Sequence, residues 1–345
     1  MIDELNIRQH LEEKEETLSP YAVKSSRSQG RQRLESPSPV RTDFQRDRDR
    51  IIHSKSFRRL KHKTQVFIAP LGDHYVTRLT HTLEVSQIAR TIARALDINE
   101  DLTEAISLGH DLGHTPFGHV GESVLNELYP GGFHHNEQSL RVVDVLEKSG
   151  RGLNLTKEVR DGILSHSKTD LTEIYGPDWR TAGTFEGETC KIADLVAYIN
   201  HDIEDAIRAG LITADQLPPA AVSVLGHSNS ERINTMVCDI IEFSWGISGR
   251  NRGPVAMGMS PKVKEAANIM RDFLFAVVYR SAATGEDTDR AREIVRFLYD
   301  YYIEHENTMP PDMLSYPADT ERRVVDYIAG MTDQYATALA ERLQK

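Results

Sequence analysis

The chain has 345 residues, 39% hydrophobic and 27% charged, which are ordinary values for a globular protein. No stretch approaches the roughly 20 consecutive apolar residues of a transmembrane helix, and residues 1–16 are too charged to form a secretory signal. We therefore expect a cytoplasmic location and no membrane partner. The two cysteines, Cys190 and Cys238, lie far apart and outside any CxxC spacing, which argues against a disulfide framework or a thiolate metal site.

The net charge of −11 is unevenly distributed along the chain. Residues 24–63 contain 13 Lys/Arg and 4 Asp/Glu, whereas the remaining residues contain 28 and 48. A cationic segment on an acidic protein favours a specific anionic partner, such as a nucleoside triphosphate or a nucleic acid. The alternative is that these arginines form ion pairs with the acidic remainder.

Three regions follow one another in the sequence. Residues 1–40 are polar and predict an extended, partly disordered N-terminal segment. From about residue 43 the apolar spacing is helical nearly everywhere, and 66–70 is the only strand-like run. We expect an all-α fold with a catalytic core at 41–210 and a helical C-terminal part at 211–345 packing on it, including a tail helix at 322–343.

A glycine-punctuated turn follows the helix that ends near residue 109. The segment LGHDLGHTPFGHVGE (108–122) holds His110, Asp111, His114, His119 and Glu122 among four glycines and a proline. Neighbouring His and Asp residues at a helix end can both reach one metal, offering a neutral nitrogen and a charged oxygen to a divalent ion. Two ligands are too few for tight binding, so others must come from elsewhere.

His81 and Asp194 are the candidates for the missing ligands. His81 lies four residues before Val85 on the apolar face of its helix, which predicts that it points inward. Asp194 begins a polar row with Tyr198 and Asp202 at helical spacing, next to an apolar stripe. Alone, an inward histidine is more often a core residue and a polar row is more often solvated; the co-occurrence with five histidines in 108–135 favours a site.

These residues resemble the H…HD…D pattern of the HD-domain superfamily, and within it the deoxyguanosine triphosphate triphosphohydrolase family. The resemblance implies the HD-domain helical fold with additional C-terminal helices. The matching segments, in the order that the family has them, are 42–67, 77–90, 108–122, 133–143, 193–206 and 326–333.

The resemblance also implies a role for each matched residue. The metal ligands are His81, His110, Asp111 and Asp194. The catalytic residues are His119, Glu122 and His135. The substrate-binding residues are Gln65 and Asp202 for the sugar 3′-hydroxyl, Tyr198 for the deoxyribose, and Arg78 and His114 for the phosphates. Where some HD relatives have a basic phosphate contact, this chain has Leu195, so we predict Lys168 as the additional cation.

The implied reaction converts a deoxynucleoside triphosphate (dNTP) and water into deoxynucleoside and inorganic triphosphate. One divalent ion per subunit is expected, and the ligand set accepts Mn, Mg, Fe, Co, Ni or Zn. His119 can transfer a proton near neutral pH while Glu122 fixes its tautomer. The resemblance does not imply a preference for guanine.

Other functions share parts of this pattern. An HD phosphohydrolase of another nucleotide (a monophosphate, a cyclic nucleotide or an alarmone) needs the four ligands but not Gln65, Arg78 or Tyr198. A DNA-binding protein with a structural metal needs only the basic segment. The resemblance further implies a homo-oligomer, often a hexamer, and an effector that is either a nucleotide or single-stranded DNA.

Overall fold

The computed structural model describes residues 2–65, 76–167, 182–250, 253–279 and 285–345. Within these ranges there is no β-strand, and the only extended pairings are two isolated bridges, Arg31 with Thr156 and Thr64 with Thr77. The predicted all-α fold is confirmed. The predicted strand-like run at 66–70 lies outside the described residues. Among the described helices, none has both the length and the apolar character needed to cross a bilayer.

Regular structure follows the chain as a series of helices. The α-helices are α1 Ile7–Glu15, α2 Asp43–Ile52, α3 Lys55–Arg59, α4 Arg78–Ala95, α5 Glu100–Gly109, α6 His119–Leu128, α7 His135–Arg141, α8 Glu147–Gly150, α9 Lys157–Ser165, α10 Phe185–Arg208, α11 Pro219–Leu225, α12 Asn229–Phe243, α13 Pro261–Leu274, α14 Glu286–Glu304, α15 Pro311–Leu314, α16 Thr320–Ala329 and α17 Asp333–Leu343. Two π-helical turns, Val142–Leu146 and Phe275–Tyr279, follow α7 and α13.

The chain forms two compact units. Unit 1 contains Met1–Ile51, Thr82–His110 and Asn154–Val278, and unit 2 contains Ile52–His81, Asp111–Leu153 and Tyr279–Lys345. In unit 1, α5, α9, α12 and α13 all pack on α10 or on each other. The apolar stripe of α10 that the sequence predicts is fully buried there, and its residues are Ile192, Val196, Ile199 and Ile203. Burial of this stripe fixes which face of α10 carries the polar row.

Two glycines let α5 and α9 approach each other closely in unit 1. A Cβ atom on Gly109 would lie 2.6 Å from Ile163 Cδ1, and one on Gly162 would lie 2.5 Å from Ile106 Cδ1. Each glycine therefore receives the isoleucine of the opposite helix. The contact lies directly before His110, so it sets the position of that histidine.

The N-terminal segment differs from the expectation of extended chain. Ile7–Glu15 form a helix, and the buried Glu15 carboxylate accepts hydrogen bonds from Ser25 N at 2.6 Å, Ser25 Oγ at 2.7 Å and Asn99 Nδ2 at 3.1 Å. Ser19 Oγ donates to the carbonyl of Ile247. These long-range contacts hold a segment whose composition alone does not predict order.

The arginines of the basic segment form ion pairs within unit 1. Arg31 binds Asp43 at 2.9 Å and also binds the fully buried Asp47. Arg48 lies 3.1 Å from both Asp101 and Glu104. Four further arginines of this segment also pair with carboxylates, namely Arg27, Arg41, Arg46 and Arg50. Of the two interpretations that the sequence left open, ion pairing is the one observed for these residues.

Unit 2 is built around α6, α14, α16 and α17. Its core is continuous and includes Val124 and Leu125 from α6, Leu298 from α14 and Ile328 from α16. The predicted single tail helix at 322–343 is wrong in one respect, because it is interrupted after Ala329. The interruption has a physical cause: Thr332 Oγ accepts a hydrogen bond from Tyr335 N and caps the start of α17.

Candidate active site

The turn at 110–118 carries the histidines and depends on close backbone contacts within unit 2. Gly113 N donates to Ser139 Oγ at 2.8 Å, and a Cβ on Gly113 would lie 2.1 Å from Ser139 N. Phe117 has a φ of 60° and Gly118 a φ of 59° with ψ of −131°, the latter a conformation that only glycine adopts readily. The glycines thus allow the sharp turn that places His119 at the start of α6.

Asp111 is surrounded by two basic side chains of unit 2. Arg78 Nη1 donates to Asp111 Oδ2 at 2.9 Å, and His114 Nε2 lies 3.3 Å from Asp111 Oδ1. All three side chains are almost completely buried. The sequence placed Arg78 on the phosphates of a substrate, whereas its partner in the structure is the Asp111 carboxylate. A guanidinium held in this way presents a fixed positive charge at the site.

Glu122 is shared by two histidines. His119 Nδ1 lies 3.1 Å from Glu122 Oε2, which is the pair that the resemblance implies. His135 makes more contacts, with its Nδ1 at 2.9 and 3.1 Å from the two carboxylate oxygens and its backbone N–H donating to Oε1 at 2.8 Å. The His119 side chain is 69% exposed, whereas that of His135 is only 13% exposed. The solvent-facing member of the group is therefore His119.

The charges of this group are set by burial and by neighbours. Burial raises the pKa of the Glu122 carboxyl, but the charge of His135 and the hydrogen bonds from His119 and His135 outweigh it and hold the pKa well below its usual range. Burial is the largest single influence on His135 and lowers its pKa, but the charge and hydrogen bond of Glu122, with the charge of Asp111, together outweigh it and raise the pKa. The two shifts have the directions expected for an ion pair between Glu122 and His135.

His114 has the opposite protonation state from His135. Burial and the charges of Arg78 and His135 lower the pKa of His114 well below its ordinary value. Its ring stacks on that of His135 at 4.0 Å between centroids. Within the part of the chain that the structure describes, two buried atoms here have no hydrogen-bond partner, namely His114 Nδ1 and Gln65 Oε1. A polar ligand is a natural partner for such atoms.

Lys63 and Asp333 hold the turn in place, and the sequence did not assign a role to either residue. The Lys63 ammonium donates to the carbonyl of His114 and, at 2.8 Å, to that of Ala329. Asp333 accepts hydrogen bonds from Phe117 N and Thr64 N, both at 2.9 Å, and from Thr64 Oγ. No helical or strand periodicity relates these partners, although they lie in the segments 42–67, 108–122 and 326–333 that carry the resemblance.

In unit 1, the helix α10 carries Asp194, Tyr198 and Asp202 on one face, as their spacing predicts. Asp202 is fully buried and lies 2.7 Å from His201 Nδ1, and the ring of Tyr198 lies 6.4 Å from that of His201. Burial lowers the pKa of His201, but Asp202 reverses this effect and raises it. His201 was missed at the sequence level because it lies outside the four-residue row.

His110 is oriented by its own helix. Its Nδ1 lies 2.6 Å from the carbonyl of Ser107, and because a carbonyl only accepts, Nδ1 carries the proton and the lone pair is on Nε2. His110 Nε2 lies 3.9 Å from Asp194 Oδ1 in unit 1. The His166 ring, which the sequence did not single out, lies edge-on at 4.9 Å from His110.

The predicted ligands have the chemistry that a divalent ion requires. In unit 2, His81 Nε2 lies 3.9 Å from Asp111 Oδ2, the same separation as between His110 and Asp194. This distance is too long for a hydrogen bond, yet two metal bonds of about 2.1 Å can span up to about 4.2 Å. In addition, Asp111, His114 and His135 have ligand-type atoms within 4.8 Å of one another.

One predicted contact cannot be placed. Lys168, the additional phosphate-binding cation suggested by the sequence, lies outside the described residues.

Comparison with known proteins identifies the family of this chain. A model of the HD domain matches residues 78–208, and a model of a phosphohydrolase-associated domain matches 257–342. A deoxyguanosinetriphosphate triphosphohydrolase-like protein of Caldanaerobacter subterraneus subsp. tengcongensis is 54% identical over 96% of this chain and 94% of its own length. Proteins of the same description from Desulfatibacillum aliphaticivorans and Clostridium perfringens are 48% and 49% identical, over 98% and 96% of both chains, respectively.

Proposed function

The chain belongs to the deoxyguanosinetriphosphate triphosphohydrolase-like family of HD-domain hydrolases, and we propose that it cleaves dNTPs into deoxynucleoside and inorganic triphosphate. The observation that carries the proposal is the Glu122 carboxylate shared by His119 and His135, next to the Arg78–Asp111 pair. An exposed histidine oriented by a buried anion can move a proton. A fixed guanidinium nearby can stabilise phosphate charge.

A single divalent ion completes the proposed site, with His81, His110, Asp111 and Asp194 as ligands. The two separations of 3.9 Å and the lone pair on His110 Nε2 support this assignment. When bound, such an ion polarises a phosphate oxygen and lowers the pKa of a coordinated water. The ligand set of two histidines and two carboxylates suits Mn, Fe, Co, Ni or Zn and also admits Mg.

His119 is the proposed proton-transfer residue. Because the Glu122 carboxylate accepts from Nδ1, the other ring nitrogen of His119 holds the lone pair on the exposed side. Glu122 fixes this tautomer. The buried His135, whose pKa is raised by Glu122, is proposed to balance the charge of Glu122 and to contribute positive potential toward a polyphosphate.

The remaining predicted residues are proposed to bind the substrate. Neutral His114 and the Arg78 guanidinium are the phosphate contacts, with Lys168 as an additional cation. Gln65 and Asp202 are the contacts to the 3′-hydroxyl. Tyr198 is proposed to pack on the deoxyribose, where a 2′-hydroxyl would meet the ring. The buried Gln65 Oε1, which has no partner among the described residues, supports its role as an acceptor of a sugar hydroxyl.

Assembly and regulation follow the family expectation. We propose a homo-oligomer, with a hexamer as the expected form, and an effector that is either a nucleotide or single-stranded DNA. Light scattering after size exclusion measures the molar mass and so tests the oligomeric state. The rate of dNTP hydrolysis with and without a second dNTP or an oligonucleotide tests the effector.

Product analysis tests the reaction. The purified protein is incubated with each dNTP, and with GTP, in Mn²⁺ or Mg²⁺, and the products are separated by ion exchange. We expect triphosphate and deoxynucleoside, no turnover of GTP, and a loss of about 10³-fold in Asp111→Ala, because several kcal/mol of charge stabilisation disappear. The matched control is Asp161→Ala, an exposed carboxylate on α9.

The competing reactions give different products. Release of orthophosphate, or turnover of monophosphates or cyclic nucleotides instead of dNTPs, identifies another HD phosphohydrolase and contradicts the proposal. Salt-dependent DNA binding without any hydrolysis contradicts it as well. The ion pairs of the basic segment weigh against this last alternative, because those arginines already neutralise carboxylates.

A further inference from the structure

A second cavity lies within unit 2 and includes none of the residues proposed above for catalysis, metal binding or substrate binding. Its volume is about 470 Å³, which is within the range of small-molecule sites. Its walls come from α3, the turn at 147–149, and the segments 310–316 and 326–335.

The charged groups of this cavity favour an anion. Three cations line it, namely Lys55, Arg59 and Lys148, and a further basic side chain, Lys63, has a pKa that burial lowers to about 7. Two of the three lining carboxylates are already bound by other groups. Glu147 accepts hydrogen bonds from Ser56 N and Ser56 Oγ, both at 2.8 Å. Asp326 is fully buried and bound by Arg141, Arg322, Gln138 and Tyr316. Asp312 is the third carboxylate. Together with Arg141 and Arg322, which pair with Asp326, the cations at the cavity outnumber these three carboxylates.

The other lining groups are aromatic and apolar. The hydroxyls of Tyr327 and Tyr335 lie 3.0 Å apart and hold both rings in place. Tyr316 is fixed by its hydrogen bond to Asp326 at 3.2 Å. Met313 and Met331 add adaptable apolar surface. Rings whose positions are fixed in this way form a surface on which a flat group can pack.

The backbone of the wall at 147–149 is strained. Lys148 and Ser149 both have a φ of 56°, a left-handed conformation that costs non-glycine residues on the order of 1 kcal/mol or more each. The two residues lie side by side on the cavity wall. Strain of this kind persists where the surrounding structure holds it, and here it presents the Lys148 side chain at the cavity.

We propose that this cavity is a second binding site, for a small molecule that carries a negative charge next to a flat apolar ring. Lys55 and Lys148 contact the charged group, and the tyrosines and methionines contact the ring. Lys63 lines the same cavity and donates to the carbonyl of His114. A ligand in the cavity thus contacts a residue that holds the turn of the candidate active site.

A fluorescent probe tests the proposal without any measurement of activity. The anion 8-anilinonaphthalene-1-sulfonate combines a sulfonate with flat rings, and its emission rises on transfer to an apolar site. We expect one probe bound per chain. The dissociation constant should rise about tenfold in Lys55→Ala and in Lys148→Gly, as is reasonable for the loss of one charged contact.

Two matched variants distinguish the loss of the Lys148 charge from the change in backbone conformation and from the loss of any surface cation. Ser149→Gly relieves the same left-handed conformation without removing a cation, and Lys61→Ala removes an exposed cation that does not line the cavity. Both should bind the probe as the unmodified protein does. Since glycine suits a φ of 56°, Lys148→Gly is expected to fold normally. Equal affinity in all variants, or no saturable binding to the unmodified protein, overturns the proposal.

Competition identifies the source of the ligand. Deoxyadenosine monophosphate and toluenesulfonate both have the required chemistry. Displacement by the nucleotide alone assigns a nucleotide site, and displacement by both assigns a site for aromatic anions in general. If neither competes at millimolar concentration, the proposal is wrong. None of these outcomes depends on whether the protein hydrolyses dNTPs.

Discussion

Two regions of the molecule bury carboxylates in opposite ways. In unit 2, Glu122 is paired with His119 and His135, and its pKa is held well below the usual range. In unit 1, Glu186 is completely buried, and its Oε1 accepts hydrogen bonds from the backbone N–H groups of Val23 at 2.9 Å and Asn99 at 3.0 Å. Burial raises the pKa of Glu186 to about 7. Burial alone therefore does not determine the charge of a carboxyl group; the charge of its partners does.

The comparison distinguishes Glu122, which belongs to the candidate active site, from Glu186, which has a structural role. The Glu122 group has two histidine partners, and one of them, His119, is exposed and can exchange a proton with solvent. The Glu186 region ties the N-terminal segment into unit 1 through neutral donors, and Glu15 nearby also has a pKa raised by burial. The three predictions that follow test this distinction, beginning with the largest effect.

Replacing Glu122 should affect catalysis most. In Glu122→Gln the anion that orients His119 and balances His135 is lost, so we expect kcat for dNTP hydrolysis to fall by about 10²–10⁴. Steady-state kinetics measure this effect. Glu127→Gln, on the same helix but exposed, is the control and should retain normal activity. If Glu122→Gln retains the kcat of the unmodified protein from pH 6 to 9, the proposed proton-transfer role is wrong.

Replacing Glu186 should increase the free energy of unfolding, whereas replacing Glu122 should decrease activity. Its folded pKa of about 7 exceeds the ordinary 4.5, so the folded state binds the proton more tightly and stability falls as the pH rises from about 4.5 to 7. The difference of about 2.5 pKa units corresponds to about 3 kcal/mol. Glu186→Gln cannot ionise, so its free energy of unfolding should exceed that of the unmodified protein at pH 8 by up to this amount.

Urea unfolding at pH 5 and pH 8 measures the effect. The advantage of Glu186→Gln should be much smaller at pH 5, and activity should not change at either pH. An exposed control on α12, Glu242→Gln, should show no difference between the two pH values. A Gln variant that is less stable at pH 8 would mean that Glu186 is ionised and favourably bound, and the contrast with Glu122 would disappear.

Asp333 lies between these two cases, because it belongs to the first region but is held by neutral donors. In Asp333→Ala the N–H groups of Thr64 and Phe117 lose their acceptor. We expect a loss of about 2 kcal/mol in the free energy of unfolding and a modest fall in kcat, since the turn is less well fixed. Asp333→Asn keeps one acceptor oxygen and should lose about half as much. If both variants are as stable as the unmodified protein, these hydrogen bonds do not hold the turn.

The sequence predicts best those residues that share one element. Periodicity along α10 placed Asp194, Tyr198 and Asp202 on one face, and the glycines of 108–122 predicted a tight turn. Periodicity could not predict the contacts of Lys63 with Ala329 or of Asp333 with Thr64, because these join residues more than 200 positions apart. Composition suggested an extended chain at 1–40, whereas the Glu15 carboxylate accepts hydrogen bonds from Ser25 and from the distant Asn99. The interrupted tail helix was missed because the cap at Thr332 is a single hydroxyl.

The close packing of Gly109 on Ile163 and of Gly162 on Ile106 limits which substitutions evolution can accept at these positions. The Cβ of an alanine at either position would lie within 2.6 Å of the facing isoleucine side chain, so that isoleucine would have to shift. A substitution of such a glycine is best tolerated together with a second substitution, for example Gly109→Ala after Ile163 has been replaced by a smaller residue. The order of the two substitutions then matters. If the smaller residue replaces Ile163 first, the later alanine at position 109 has room. In the reverse order, the intermediate protein has a steric clash between the alanine at position 109 and Ile163.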